Sequence, residues 1–159
     1  MYDSFWVFSM LRLALFRPEI PQNTGTLMRL GACLDVPLDL IEPCSFVIDD
    51  KRLKRAGMDY REQANLTQHV DIDAFWQARK ENRVILLDVK GEHSLYDFKF
   101  QYGDTLMVGR ESDGVPADVF EACAASVYIP MNLHCRSLNV AIAAAMVITE
   151  AMRQLQKKM

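Results

Sequence analysis

The sequence predicts an α/β fold, a mainly parallel sheet flanked by helices on both sides. Short apolar runs alternate with stretches of helical periodicity, the pattern of consecutive βα units. One run, Val84 to Val89, is almost wholly apolar, as expected of a strand covered on both faces. Three polar, turn-rich segments each follow a strand-like run: Arg17-Pro-Glu-Ile-Pro-Gln-Asn-Thr-Gly-Thr-Leu-Met-Arg29, Val108-Gly-Arg-Glu-Ser-Asp-Gly-Val-Pro116 and Ile129-Pro-Met-Asn-Leu-His-Cys-Arg-Ser-Leu-Asn139. That order allows all three to be loops at one sheet edge, and the carboxyl ends of parallel strands are where open α/β sheets bind ligands.

Leu11 to Phe16 is the first expected strand, ended by Pro18 and Pro21, which hold the chain extended up to Asn23. Leu27, Leu30 and Leu34 then fall at helical spacing, so Thr24 to Leu34 reads as a helix that Asn23 or Thr24 can cap. Leu38 to Ile41 is a strand closed by Pro43. Asp49 to Ala56 reads as a short helix with acids first and bases last, the order that suits the helix dipole, and Gly57 ends it.

Ile72 to Glu81 is a further helix, followed by the Val84 to Val89 strand. Thr105 to Val108 and Val127 to Ile129 complete the strands, with Pro116 to Ala125 a helix between them. From Leu138 the chain is rich in Ala and Met through Met152, and Leu138, Ala141, Ile142, Ala145, Met146, Met152 and Leu155 mark one helical face. Lys157 and Lys158 end that helix favourably.

At 159 residues the chain is one domain by size, long enough to bury a sizeable core. The formal charge of −3 means that any nucleic-acid contact must rest on a local basic patch. Cys33, Cys44, Cys123 and Cys135 show no C-x-x-C spacing and read as reduced thiols of a cytoplasmic protein. A zinc site from His134 and Cys135 would need distant ligands, and a small buried hydrophobe is the simpler role for the cysteines.

No apolar run reaches the ~18 residues needed to span a bilayer, so no membrane partner is expected. Residues 1–10 are apolar but lack a basic stretch and a cleavage site. The first strand begins just after Met10, which makes Met10 the expected natural start, residues 1–10 an extension and 11–159 the single domain.

G-x-G-x-x-G, G-x-x-x-x-G-K-[ST], G-x-S-x-G and H-E-x-x-H are all missing, which weakens dinucleotide oxidoreductase, NTPase, hydrolase and zinc-protease readings. The three loops remain to be explained. A helical Arg29 points back toward the helix N-terminus past Gly25, where its guanidinium and the backbone N–H groups together suit an anion. The plainer alternative is a surface Arg and a turn-forming Asn23. Gly109 and Gly114 permit positive φ or close ligand approach, while Glu111 between them has no sequence-local partner. Ser137 and Asn139 flank the start of the last helix, and capping accounts for only one of them.

These segments together resemble the SPOUT superfamily of trefoil-knot RNA methyltransferases, and most of all its compact branch that methylates the ribose 2′-hydroxyl of the tRNA wobble nucleotide. The resemblance rests on Pro18-Glu-Ile-Pro-Gln-Asn-Thr-Gly25, Asp49-Asp-Lys-Arg-Leu-Lys-Arg-Ala-Gly-Met-Asp-Tyr60, the Gly109 loop and Arg136-Ser-Leu-Asn139, in the family's order, and covers the chain after Met10. It implies a C-terminal deep trefoil knot, an exception to the rule against threaded chains, and a homodimer. It also implies S-adenosylmethionine held near Leu87, Gly109, Ile129, Met131, Ser137 and Leu138, no metal, and catalytic positions at Asn23, Arg29, Glu111, Ser137 and Asn139. Arg17 replaces a frequent acid, Thr26 a frequent Asn, Ala141 a frequent Ser and Thr149 a frequent Tyr.

In the family the Arg matching Arg29 is proposed as general base. A guanidinium stays charged, which favours Arg29 as a ligand that orients phosphate and hydroxyl and stabilises developing negative charge. For tRNA the expected contacts are Lys51, Arg52, Lys54, Arg55 and Arg61, with Arg136 at the third loop; a solvated helix face is the alternative for the cluster. The same chemistry on another tRNA position or on rRNA, and a knotted RNA- or cofactor-binding protein without turnover, are the competing functional readings.

Overall fold

The computed structural model describes residues 11–47 and 64–156. The expected helix at Asp49 to Ala56, the basic cluster Lys51, Arg52, Lys54, Arg55 and Arg61, residues 1–10 and the terminal lysines lie outside the described residues. In chain order the elements are β1 (Leu11–Phe16), α1 (Pro21–Leu34), β2 (Leu38–Ile41), β3 (Leu66–His69), α2 (Ile72–Ala78), β4 (Val84–Leu87), β5 (His93–Ser94), β6 (Asp104–Val108), α3 (Ala117–Ala122), β7 (Ala125–Tyr128) and α4 (Val140–Gln156).

The described strands form one sheet of order β3-β2-β1-β6-β4-β7-β5, and every pairing is parallel. The α/β class with helices on both faces is therefore as expected. Along β1 the pleat sends Leu11, Leu13 and Leu15 into a core under α1 and α4, and Ala14 and Phe16 into a second core under α2 and α3. Both faces of the central strands are thus covered, which is why Val84–Leu87 carries no polar residue.

The structure corrects several expected boundaries. α1 begins at Pro21 rather than Thr24, with Pro at its first position and Ile20 as an N-cap that has no side-chain hydrogen bond, so neither Asn23 nor Thr24 caps it. β3 and β5 were not foreseen: Leu66-Thr-Gln-His69 has little apolar character and His93–Ser94 is two residues long. α4 buries Ala141, Ala144, Val147, Ile148, Ala151 and Leu155, whereas Leu138, Ile142 and Met146 of the expected face are exposed. Small alanines let α4 approach α1 and the sheet closely, so its inner face is the alanine-rich one; Ala141 and Leu155 of the expected face lie on it, with Met152 packed at its edge.

A buried ion-pair network sits away from the sheet's carboxyl edge. Asp39 of β2 is fully buried and accepts from Arg12 Nε (2.9 Å) and Arg79 Nη2 (2.6 Å), with His69 Nε2 at 2.8 Å. Burial pushes its carboxyl up, but the hydrogen bonds from Arg79, Arg12 and His69 outweigh that and hold it at about 2.

Candidate functional site

The carboxyl ends of β1, β6, β4 and β7 open into a cleft of about 1060 Å³. Order in the sheet reverses at the β1–β6 pair, a topological switch point. Leu87, Val108, Ile129, Met131 and Leu138 give the cleft an apolar floor, and Asn23, Asp88, Arg110, Glu111, Arg136 and Asn139 supply polar groups around it.

Each polar group is placed by backbone chemistry at a strand end. Arg17 takes φ 45°, turning the chain out of β1 while its N–H still donates to Ile41 O at 2.9 Å. The turn aims the next two amides at the second loop: Glu111 accepts from Glu19 N (2.8 Å) and Ile20 N (3.2 Å), and also from Asn23 Nδ2 (3.3 Å). Glu19 reciprocates, accepting from Ser112 N and Ser112 Oγ, both at 2.9 Å. Two loops some ninety residues apart thus exchange carboxylates.

The second loop is pinched by paired hydrogen bonds of 3.0 Å between Arg110 and Gly114. Gly114 has φ +67°, and a Cβ on Gly109 would lie 2.6 Å from the Gly114 carbonyl carbon, so one glycine serves the turn and the other the close approach. The third loop is tied in by Asn139, whose Nδ2 donates to Asn23 Oδ1 at 3.0 Å. Asn139 Oδ1 accepts from Ala141 N (2.9 Å) and Ile142 N (3.3 Å), capping α4. The network therefore runs Ser112–Glu19 and Glu111–Asn23–Asn139 across all three loops.

Leu87, Gly109, Ile129, Met131, Ser137 and Leu138 all line the cleft, as do Asn23, Glu111, Asn139 and Arg136. Arg29 does not: it is exposed on α1 and outside the lining. Six residues turn a helix through about 600°, which carries Arg29 away from the face on which Asn23 is buried. Glu19, Ser112, Asp88 and Lys90 went unrecognised from sequence. Glu19 stood in plain view between two prolines, and Lys90-Gly91 is the turn signal that the expected Val84 to Val89 strand overran; β4 stops at Leu87.

The cysteines take no visible part. Burial raises Cys123 to about 12, and burial together with the charges of Glu42 and Glu111 raises Cys44 to about 11. All four thiols are free, and among the described residues no group of three or more His, Cys, Asp or Glu is placed to hold a metal ion. No described helix is long and apolar enough to cross a membrane.

The profile of the SpoU rRNA Methylase family matches residues 10–149. The chain belongs to that family. Relatives agree: a tRNA (cytidine(34)-2′-O)-methyltransferase of Beijerinckia indica is 49% identical over 89% of this chain and 90% of its own length. One of the same name from Escherichia coli K12 is 43% identical over 92% and 94%. A structure solved in a study of the 2-OH methylation of C/U34 on tRNA superposes with TM-score 0.88 at 42% identity, covering 94% of this chain and 98% of that one. The AdoMet-bound SpoU methyltransferase AviRb of Streptomyces viridochromogenes gives TM-score 0.82 at 25% identity, covering 94% of this chain and 62% of its own. The SpoU family is thus the one that the three loop motifs resemble.

Proposed function

We propose that this SpoU-family chain transfers a methyl group from S-adenosylmethionine to the ribose 2′-hydroxyl of the wobble nucleotide of tRNA, a cytidine or modified uridine. The observation that carries the reading is the 49% identity, over nearly the full length of both chains, to a tRNA (cytidine(34)-2′-O)-methyltransferase.

The cleft suits the cofactor: an apolar floor of Leu87, Ile129, Met131 and Leu138 for a flat adenine and a thioether chain, and loop backbone at Gly109 and Ser137 for polar edges. When bound, S-adenosylmethionine supplies an electrophilic methyl that carries its own leaving group. The protein's task is then to hold a ribose hydroxyl in line and to stabilise charge as its proton leaves. Glu111 already accepts three hydrogen bonds, so its role is to position the first loop and Asn23 rather than to remove that proton. Arg136 and Arg29 are the cations assigned to the nucleotide phosphate and to the developing alkoxide, with Lys51, Arg52, Lys54, Arg55 and Arg61 gripping the rest of the tRNA.

A C-terminal trefoil knot and a homodimer belong to the same reading. Ile142 and Met146 of α4 and Leu138 just before it, exposed at helical spacing, supply an apolar stripe for a second copy. The free cysteines and the tRNA substrate point to the cytoplasm.

The deciding experiment is transfer of radiolabelled methyl from S-adenosylmethionine to total tRNA from a strain lacking this gene, with nuclease mapping. Label on a wobble 2′-O-ribose is the expected result. Label elsewhere moves the target to another tRNA position, and cofactor binding with no label on any RNA overturns the catalytic reading.

A further inference from the structure

Two arginines converge on the ring of Phe16. Arg17 Cζ lies 5.1 Å and Arg110 Cζ 5.9 Å from its centroid, within cation–π reach. The two cations differ in their partners. Arg110 is matched by Asp113, with Nε 2.9 Å from Oδ1. Arg17 forms no ion pair with a carboxylate of the described residues, and its Nε is buried with no hydrogen-bond partner. The nearby acids are engaged elsewhere, Glu19 with Ser112 and Glu111 with backbone amides.

Arg17 also occupies a left-handed conformation, φ 45°, that glycine adopts freely and side-chain-bearing residues rarely do. A buried donor without an acceptor and a strained backbone coincide in one residue, which shares the Phe16 ring with Arg110 of the cleft lining. Such features persist where they are used. A planar guanidinium backed by an aromatic ring presents a fork to two oxygens of a phosphate diester.

We propose that Arg17, with Arg110 beside it on the Phe16 ring, holds a backbone phosphate of the RNA at the rim of the cleft. This rests on the RNA-substrate reading above and adds a contact to it. The contact positions the strand and reads no base. In a chain of net charge −3, an unmatched cation beside the cleft lining has a measurable share of the phosphate grip.

The test measures binding of a tRNA transcript to the full-length protein over a range of salt concentrations, for the wild type, Arg17→Gln, Arg17→Lys and Arg17→Gly. Arg17→Gln is expected to lower the slope of log Kd against log salt by about 1 and to raise KM for tRNA. Its affinity for S-adenosylmethionine should stay at the wild-type value. Arg17→Lys keeps the slope and loses part of the affinity with the fork. Arg17→Gly relaxes the turn, so its Tm holds or rises while its slope falls as in the Gln variant, which separates phosphate binding from folding. An unchanged slope in both the Gln and Gly variants overturns the phosphate contact alone. A wild type that binds S-adenosylmethionine yet neither binds nor methylates tRNA overturns the substrate reading itself.

Discussion

Asn139 Nδ2 donates to Asn23 Oδ1 over 3.0 Å, joining the cap of α4 to the first turn of α1 across 116 residues of sequence. The same Asn139 closes two backbone amides of α4 through Oδ1, so one side chain both starts a helix and locks two loops. Asn139→Ala should cost about 1 kcal/mol for the cap alone and more for the lost cross-link. In a double-mutant cycle with Asn23→Ala, read by urea denaturation, the coupling should lie at about 0.5 kcal/mol or above. Additive losses would show that the two asparagines act independently.

Glu111 is the hinge of the loop exchange. Glu111→Ala strips an acceptor from two backbone amides and from Asn23, a loss of about 1–3 kcal/mol. Hydrogen exchange should accelerate at the amides of Glu19 and Ile20, with S-adenosylmethionine affinity falling because the same loop walls the cleft. Glu111→Gln keeps one acceptor oxygen and should fall between the two. Unchanged protection at both amides in the Ala variant would refute the assignment.

Gly109→Ala places a methyl 2.6–3.0 Å from the Gly114 backbone, which has no flexible side chain to yield. The loop must open, so the cofactor Kd should rise at least tenfold, read by calorimetry, with a smaller drop in Tm because the loop lies at the surface. Retention of wild-type affinity would show that the pinched loop is not required for binding.

Much of this was legible because local chemistry and tertiary role coincided. Val84 to Leu87 is apolar on both faces because both faces are covered, and the glycines of the second loop stand where a turn and a close contact need them. What was not legible depended on partners distant in sequence. Nothing local to Glu111 announces the amides of Glu19 and Ile20, and nothing in the α4 periodicity tells which of two apolar faces meets α1. Asp39 was invisible for the same reason, since its arginines come from β1 and from the end of α2.

Arg29 stands exposed on α1, outside the cleft lining of its own chain. If it serves as a planar ligand for phosphate and developing alkoxide, Arg29→Lys should lower kcat at least tenfold while leaving S-adenosylmethionine affinity unchanged. Near-normal turnover with Lys would leave only a point charge as its contribution.

Asp39 sets the acid limb of stability. Its carboxyl is held at about 2 in the fold against an ordinary 3.8, so the ionised form is favoured by folding. A depressed carboxyl stabilises fully above its unfolded pKa, and that contribution is lost as pH falls from about 4 through about 2. The amount is about 2–3 kcal/mol, at about 1.4 kcal/mol per pH unit between 3.8 and about 2. Asp39→Asn should abolish that share of the acid dependence, since an amide does not titrate. At pH 7 it should also cost about 3–5 kcal/mol, because Arg12 and Arg79, each only about a fifth exposed, keep their charges without a counter-ion. Urea denaturation at pH 7 and pH 2.5 checks both, and an acid-induced loss of equal size in the wild type and the Asn variant would assign the limb to other carboxylates.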